Sequence, residues 1–210
     1  MEMVAQGIGT ATKAKPTRKL CVSTVRLLAT SLAVLAFVVM LCYTMSWGVQ
    51  MKRYEEQSST DVFEKLDLEV IGGGRFTHEN YKDAKLTILN VWGTDCAPCI
   101  GELPELEELN HSYAPGEIQV VGLLKDSMSS KGEVQEANIN RAQDLFESAG
   151  ATYPDLIVDT DTFAFLSAAI AGTPTTFFID SNGKLVKTVT GANTLLAWKQ
   201  QVDDTLAQLS

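Results

Sequence analysis

The sequence of 210 residues is poor in the side chains that hold structural zinc, because it has only four cysteines and two histidines. A structural zinc ion normally takes four ligands. Cys96 and Cys99 form a close pair, but Cys21 and Cys42 lie far upstream and the histidines are isolated. The small number and wide separation of these residues argue against a zinc site, and no metal or other cofactor is expected.

Basic residues are scarce beyond the N-terminal quarter of the chain. Residues 1–53 hold seven Lys or Arg and one acidic residue, a net charge of +6. Because the whole chain has a net charge of −9, residues 54–210 have a net charge of −15. A region this acidic argues against binding to nucleic acid. The sequence also lacks an internal period and long stretches of simple composition, which argues against a repeat architecture.

Charged residues are absent from Leu27 to Gln50, a stretch dominated by apolar side chains and long enough to cross a bilayer as a helix. Tyr43 and Trp47 lie at its far end, where aromatic rings favour the interface between lipid and water. Five basic residues precede the stretch and only Lys52 and Arg53 follow it closely, so the N-terminus is predicted to be cytoplasmic.

Two other interpretations of this segment are a cleaved signal peptide and a lipoprotein signal. A signal peptide usually has a shorter apolar region, and no clear cleavage site of small residues follows this one. The bulky Leu41 before Cys42 argues against lipid attachment at that cysteine. We therefore expect a cytoplasmic tail at 1–26, a transmembrane helix at 27–50, a polar stalk at 51–61 and an extracytoplasmic domain at 62–210.

The chemistry of the chain is predicted to lie in the segment from Trp92 to Pro104, which contains the pair Cys96-Ala97-Pro98-Cys99. The apolar run before it, from Leu86 to Trp92, is typical of a buried strand. After it, apolar residues recur at helical spacing, which places Cys96 at a helix N-terminus. Backbone N–H groups and the helix dipole favour a thiolate there. Two intervening residues allow a reversible disulfide between the cysteines.

The alternatives for this pair are a structural disulfide, half of a zinc site, or two unrelated cysteines. A structural bridge that closes so small a loop would stabilise a domain of this size very little. The strand before the pair, the helix after it and Pro98 within it favour a redox pair.

The remaining pattern predicts alternating strands and helices. The triple glycine at 72–74 indicates a hairpin turn, and Ile118 to Leu124 indicates another buried strand. A helix with an apolar face from Val134 to Ala149 should end at Gly150. A short strand at 156–158 should precede a helix capped by Asp161.

The C-terminal part predicts two more strands and a last helix. Thr175 to Ile179 and Leu185 to Val189 flank the turn at 181–183. The apolar residues after them recur at helical spacing up to Leu209. The expected fold class is therefore α/β, with a central mixed sheet flanked by helices.

From about Val62 to its end, the chain resembles the membrane-anchored, thioredoxin-like proteins of the TlpA/ResA type. The residues and segments that carry the resemblance are Trp92, Cys96-Ala97-Pro98-Cys99, Glu102, Pro104, Gly172-Thr173-Pro174-Thr175 and the ending of strand, turn, strand and helix. The resemblance implies a thioredoxin-like fold with an N-terminal hairpin. It also implies a cis Pro174 beside the dithiol and a Thr173 backbone that pairs with the backbone of a substrate.

Two positions depart from related sequences. Thioredoxins place a buried Asp six residues before the first cysteine, whereas this chain has Asn90, which cannot take a proton from Cys99. Many relatives have a Trp immediately before the first cysteine, whereas this chain has Asp95. Another group must therefore accept the proton, and the surface around Cys96 differs from that of those relatives.

Glu102 is the predicted acceptor. A helical projection places it on the apolar arc of the active-site helix, whereas Glu105, Glu107 and Glu108 lie outside that arc. Burial would raise the pKa of the Glu102 carboxyl, which suits a general base or acid near neutral pH. The resemblance implies the same role. The alternative is a surface glutamate that extends into water.

The sequence thus predicts a thiol-disulfide oxidoreductase in which Cys96 attacks, Cys99 resolves and Glu102 carries the proton. Trp92, Asp95, Thr173 and Pro174 are the predicted substrate-binding residues. The expected direction is reduction of extracytoplasmic protein disulfides, and the resemblance implies a membrane protein that supplies the electrons. A thiol peroxidase and a non-enzymatic Cu(I) carrier are the alternatives.

Overall fold

A computed structural model describes the backbone of residues 22–209 and the side chains of residues 30–48 and 62–209. Residues 1–21, most of the predicted cytoplasmic tail, lie outside the described residues. The chain divides into two units, residues 1–50 and 51–210.

The first unit contains most of the first helix, α1, which runs from Val22 to Glu64. Within the described residues, its segment Thr30–Gly48 is long and apolar enough to cross a membrane. The side chains of that segment are exposed. The predicted stalk at 51–61 belongs to the same helix. The boundaries proposed for tail, membrane span and stalk stay predictions.

The second unit is a seven-stranded sheet flanked by helices. The strands are β1 (Asp67–Val70), β2 (Arg75–Thr77), β3 (Leu86–Trp92), β4 (Ile118–Leu124), β5 (Asp155–Ile157), β6 (Thr175–Asp180) and β7 (Leu185–Thr190). The helices are α2 (Ala97–His111), α3 (Glu136–Ala149), α4 (Thr160–Ala169) and α5 (Leu195–Leu209), with short 3-10 turns at His78–Asp83 and Lys125–Ser127. The predicted mixed α/β fold with an N-terminal hairpin is confirmed.

The strand order is β2-β1-β5-β4-β3-β6-β7. The central strand β3 pairs in parallel with β4 and antiparallel with β6, and β4 pairs in parallel with β5. Every residue of β3 is buried, as expected for a strand covered on both faces.

Successive side chains of a strand point to opposite faces, so β3 supplies two cores. Leu86, Ile88 and Trp92 pack toward α2, α3 and α5, whereas Leu89 and Val91 pack on the other face. Asn90 therefore shares the face of Trp92 and lies beneath α2. This alternation fixes which polar side chain of β3 reaches the active-site helix.

Two local predictions were wrong. Val134 does not belong to the buried face of α3, because it precedes the helix, pairs with Met128 in an isolated bridge and is half exposed. The helix α4 is capped by Asp159, whose Oδ1 accepts a hydrogen bond of 2.7 Å from the N–H of Thr162. Asp161 lies inside that helix because the chain already turns at Asp159.

Candidate active site

The two cysteines of the predicted pair are joined by a disulfide at the start of α2, with Cα atoms 5.2 Å apart. Cys96 is the N-cap residue, and its carbonyl accepts the first helical hydrogen bond from Ile100. Cys96 is partly exposed, whereas Cys99 is fully buried one turn further on. A substrate can therefore reach the sulfur of Cys96 but not that of Cys99.

A distant loop lies against the exposed cysteine. The peptide bond between Thr173 and Pro174 is cis, as the resemblance implies. The sulfur of Cys96 lies 3.5 Å from the carbonyl oxygen of Thr173, although 77 residues separate them. The sheet brings the two together because β3 and β6 are hydrogen-bonded neighbours, with Val91 opposite Thr175.

A groove of about 670 Å³ opens beside Cys96. Three of the four predicted substrate-binding residues, Trp92, Asp95 and Thr173, line it, whereas Pro174 does not. Besides Cys96, the groove is lined by residues that were not predicted to bind substrate: Gly93, Ala97, Pro98, Lys125, Asp126, Met128, Phe163 and Gly172. The groove thus joins the active-site helix, the turn after β4, α4 and the loop before β6.

Glu102 is buried beneath α2, with only 2% of its surface exposed. Its Oε1 accepts a hydrogen bond of 2.9 Å from Nδ2 of Asn90, and its Oε2 accepts one of 3.1 Å from the backbone N–H of Asn193. Burial raises the pKa of the Glu102 carboxyl to about 7, although both hydrogen bonds oppose the rise. The carboxyl is therefore present in both protonation states near neutral pH.

Asn90 is the residue that stands in place of a buried aspartate. Its Nδ2 also donates a hydrogen bond of 3.0 Å to Oγ1 of Thr176 on β6, so the amide bridges α2 and the sheet. The side chain cannot carry a proton, but it holds the carboxyl of Glu102 in place. The predicted role of Glu102 in proton transfer stays a prediction, whereas its buried position is observed.

Asp95 has a partner that sequence reasoning did not find. Its Oδ1 lies 2.7 Å from Nη1 of Arg141 on α3, in an exposed ion pair. Part of the negative charge beside Cys96 is thereby compensated, although water screens a pair this exposed.

Two further carboxylates accept hydrogen bonds from residues just before the dithiol. Oδ2 of Asp126 accepts hydrogen bonds from the N–H and the hydroxyl of Thr94, at 2.9 and 2.7 Å. Oδ1 of the buried Asp155 accepts one of 2.9 Å from Nε1 of Trp92. Asp126 was foreseeable from sequence, because it follows β4, whose end lies beside the end of β3. Nothing in the sequence distinguishes Asp155, which lies in an ordinary short strand.

The arrangement of this dithiol on the sheet is that of a thioredoxin-like protein. A disulfide at the N-terminus of the helix after the central strand, beside a cis proline that enters the neighbouring strand, defines the class. Comparison with known proteins agrees, because residues 59–188 match the model of the AhpC/TSA family. The chain belongs to the AhpC/TSA family.

Curated relatives carry names from thiol-disulfide chemistry. The chain is 31% identical over 119 residues to the thiol-disulfide oxidoreductase ResA of Geobacillus thermodenitrificans, a match that covers 57% of this chain and 62% of the relative. It is 28% identical over 132 residues to the thiol:disulfide interchange protein HelX of Rhodobacter capsulatus, covering 63% and 67%. The predicted resemblance to ResA-type proteins is confirmed, and the first match spans less than two thirds of its relative.

A solved structure supports the fold. A thiol:disulfide interchange protein of the thioredoxin family from Chlorobium tepidum superimposes with a TM-score of 0.53 at 19% identity. The superposition covers 67% of this chain and 92% of that one. At this identity the likeness supports the thioredoxin-like fold alone.

Proposed function

We propose that this protein is a thiol-disulfide oxidoreductase that reduces disulfides of extracytoplasmic proteins. The observation that carries the proposal is the partly exposed Cys96 at the N-terminus of α2, bonded to the buried Cys99 and placed 3.5 Å from the Thr173 carbonyl. Such a pair presents one sulfur to a partner and withholds the other. The names of the ResA and HelX relatives support the same activity.

The reaction begins with the reduced dithiol. The Cys96 thiolate attacks one sulfur of a substrate disulfide, which forms a mixed disulfide and releases the first substrate thiolate. The Cys99 thiolate then attacks the sulfur of Cys96 and releases the second substrate thiolate. Two electrons pass to the substrate, and the protein is left with the disulfide seen in the structure.

Glu102 takes the proton from Cys99 in the second step. It stands three residues after Cys99 on α2, and residues at this spacing are neighbours on a helix. Burial keeps the pKa of Glu102 at about 7, so the ionised form is available at neutral pH. The released substrate thiolate receives the proton afterwards, which completes the proton balance.

The groove beside Cys96 receives the substrate. The backbone of Thr173 faces the sulfur that reacts, and Trp92 and Asp95 form other parts of the wall. Pro174 places that backbone at the head of β6 without lining the groove.

The direction of electron flow follows from what surrounds the thiolate. A dithiol becomes a strong oxidant when its thiolate is strongly stabilised. Ala97 and Pro98 have no side-chain donor, Asp95 and Glu102 are acidic, and the cation of Arg141 compensates Asp95 from an exposed position. The helix N-terminus favours the Cys96 thiolate without help from the dipeptide between the cysteines, so the disulfide form is comparatively stable and the protein acts as a reductant.

The apolar segment at 27–50 anchors the protein in the membrane, with the N-terminus in the cytoplasm. The excess of basic residues before the segment supports this orientation. A reductant outside the cytoplasm loses its electrons to its substrates. A membrane protein that passes electrons to the Cys96-Cys99 pair is therefore the second partner that we propose, after the substrate proteins themselves.

Trapping in cells tests the function. In the Cys99→Ala protein the second step is blocked, so mixed disulfides between Cys96 and substrate proteins should accumulate on non-reducing gels and identify those substrates. The Cys96→Ala protein is the matched control and should trap none. Equal trapping by both variants would mean that the roles are misassigned, and an absence of mixed disulfides with Cys99→Ala would overturn the proposed reaction.

One observation favours Cu(I) binding as a second candidate function. Met128 lines the same groove as Cys96, so the fold brings a thioether to the groove that the exposed cysteine borders. Thiolates and thioethers are the soft ligands that Cu(I) prefers. Titration of the reduced protein with Cu(I) against a competing chelator should show whether one ion binds tightly and whether Met128→Leu weakens that binding while Met40→Leu does not.

A further inference from the structure

Asp155 is a buried carboxylate that the proposed reaction does not use. It begins β5 and exposes 5% of its surface. Its Oδ1 accepts a hydrogen bond of 2.9 Å from the indole Nε1 of Trp92, while Oδ2 has no hydrogen-bond partner among the described residues. Within the described part of the chain, the one side chain that this carboxyl holds by a hydrogen bond is therefore Trp92, which lines the groove beside Cys96.

The contact depends on the residue that lies between the two strands. In the sheet Gly122 of β4 pairs with Asp155 on one side and with Asn90 of β3 on the other. A Cβ atom added at Gly122 would lie 2.4 Å from Oδ1 of Asp155, so the carboxyl occupies the space above this glycine. Neighbouring strands lie about 4.8 Å apart, and only a residue without a side chain lets Asp155 reach across β4 to Trp92.

Burial of the Asp155 carboxylate is energetically unfavourable. Burial raises the pKa of Asp155 to about 7, and the nearby charge of Asp126 adds to the rise, while the Trp92 hydrogen bond opposes it. The Tyr153 hydroxyl is also buried without a hydrogen-bond partner in this part of the structure, and burial together with the charge of Asp155 raises its pKa. An apolar side chain of similar size would avoid this desolvation cost. What the carboxylate provides and an apolar side chain does not is the hydrogen bond to the indole of Trp92.

The indole belongs to the same buried core as one of the two cysteines. Trp92 ends β3 four residues before Cys96, packs in one core with Cys99, and contacts the ring of Phe146 at 5.4 Å between centroids. Its packing leaves it fully buried, yet it borders the groove. A rotation of this ring would change the shape of the groove where a substrate disulfide must meet Cys96.

We propose that Asp155 is a positioning residue for the proposed thiol-disulfide exchange, holding the indole of Trp92 as a fixed wall of the substrate groove. This role rests on the proposed function. It concerns how a bulky substrate is oriented, not the exchange between sulfur atoms. Substrates that fill the groove depend on the contact, whereas a small disulfide that reaches Cys96 without filling it does not.

The test uses the full-length protein in detergent micelles, reduced beforehand, and follows its reaction with two disulfides. One is a peptide with an internal disulfide, and the other is the small disulfide of 2-mercaptoethanol. Asp155→Leu removes the acceptor, whereas Asp155→Asn keeps an oxygen for the indole N–H. Asp161→Leu on the exposed surface of α4 is the matched control.

Asp155→Leu should lower the rate constant for reduction of the peptide roughly tenfold, as expected when a positioning contact is lost. The rate constant for reduction of the small disulfide should change by less than about twofold. Asp155→Asn should restore the peptide rate. The indole ¹⁵N–H resonance of Trp92, assigned from a Trp92→Phe spectrum, should shift in Asp155→Leu and stay near its place in Asp155→Asn. Gly122→Ala should reproduce the Leu variant, because its methyl group displaces the carboxyl, while Gly101→Ala meets no atom within 4 Å and serves as its control.

A folded Asp155→Leu protein that reduces the peptide at the normal rate would overturn the role, as would equal losses with both disulfides. Failure of Asp155→Asn to restore the rate would also overturn it, because charge and not the contact would then matter. If Asp155→Leu does not fold, Gly122→Ala carries the same test. A wild-type protein that reduces neither disulfide would overturn the proposed function itself. This result differs from every outcome that would overturn only the role of Asp155, because those outcomes require an active wild type.

Discussion

The side-chain amide of Asn90 donates a hydrogen bond of 2.9 Å to Oε1 of Glu102. The donor belongs to the central strand and the acceptor to the active-site helix, 12 residues later in the chain. A hydrogen bond to the ionised form lowers the pKa of a carboxyl, while burial raises it. The balance sets the pKa of Glu102 at about 7, and the first three predictions follow from it.

The Glu102→Gln variant should resolve mixed disulfides more slowly, by roughly tenfold to a hundredfold at neutral pH. In the wild type the rate should rise with pH through about 7 as the carboxylate forms, and glutamine should abolish this rise. The measurement is the rate at which Cys99 releases a thiol held on Cys96, as a function of pH. The exposed Glu108→Gln on the same helix should retain the profile, and an unchanged profile in Glu102→Gln would assign Glu102 a structural role only.

The Asn90→Leu variant should raise the pKa of Glu102 further. It removes a hydrogen bond that favours the carboxylate and leaves the burial in place, so ionisation should require a higher pH, by about one unit. The ¹³C resonance of the Glu102 carboxyl would report the shift. Asn193→Leu is a useful contrast, because Glu102 accepts from the backbone N–H of Asn193 and that bond survives the change. A shift to lower pH in Asn90→Leu would contradict the hydrogen-bond direction.

The free energy of unfolding of the domain should depend on pH because of Glu102. Its folded pKa of about 7 lies above the ordinary value of 4.5, so the folded state holds the proton more tightly. The resulting stabilisation is complete below pH 4.5 and is lost as pH rises through about 7, at most about 3 kcal/mol. Glu102→Gln, which does not titrate, should therefore gain free energy of unfolding relative to wild type over this range. Urea unfolding at several pH values measures the difference, and Glu108→Gln should show none.

The potential of the Cys96-Cys99 pair should be reducing, nearer the roughly −270 mV of thioredoxin than the roughly −120 mV of a strong periplasmic oxidant. The reason is that the helix N-terminus is opposed by acidic neighbours. Equilibration of the full-length protein with glutathione buffers measures the value. A potential more oxidising than about −200 mV would reverse the assignment and make the protein a disulfide donor.

The topology is tested by labelling intact cells with a thiol reagent that does not cross membranes, after mild reduction. Cys96 should be labelled from outside because the charge bias places residues 62–210 there. Cys21, in the predicted cytoplasmic tail, is a built-in control that should be labelled only after lysis. Mass spectrometry of the two peptides distinguishes them. Labelling of Cys21 but not Cys96 in intact cells would invert the orientation.

Sequence alone predicted the elements that depend on local pattern. The bounds of β3 and β4 agree with their apolar runs, and Cys96 stands at the N-terminus of α2 as the change of period indicated. Gly150 ends α3 with a φ of 68°, a value that favours glycine. Burial of Glu102 was also predictable, because helical spacing places it on the apolar arc.

What the local pattern could not decide is which distant residues meet. The apolar face of α3 was misjudged because the bridge between Met128 and Val134 delays the start of that helix. The pairing of Asp95, just before the N-cap of α2, with Arg141 of α3 spans 46 positions, and no spacing rule relates the two residues.

The contact between Asp155 and Trp92 depends on the tertiary structure most of all. It joins two residues 63 positions apart and needs three strands in one order, with Gly122 of the middle strand opposite Asp155. Hydrophobic periodicity reports whether a side chain is buried, because burial follows from the local face of a helix or strand. It does not report partners, since these depend on how strands separated in sequence are ordered in the sheet. The sequence therefore determined the dithiol and its helix, and the sheet decided which carboxylates contact the residues before them.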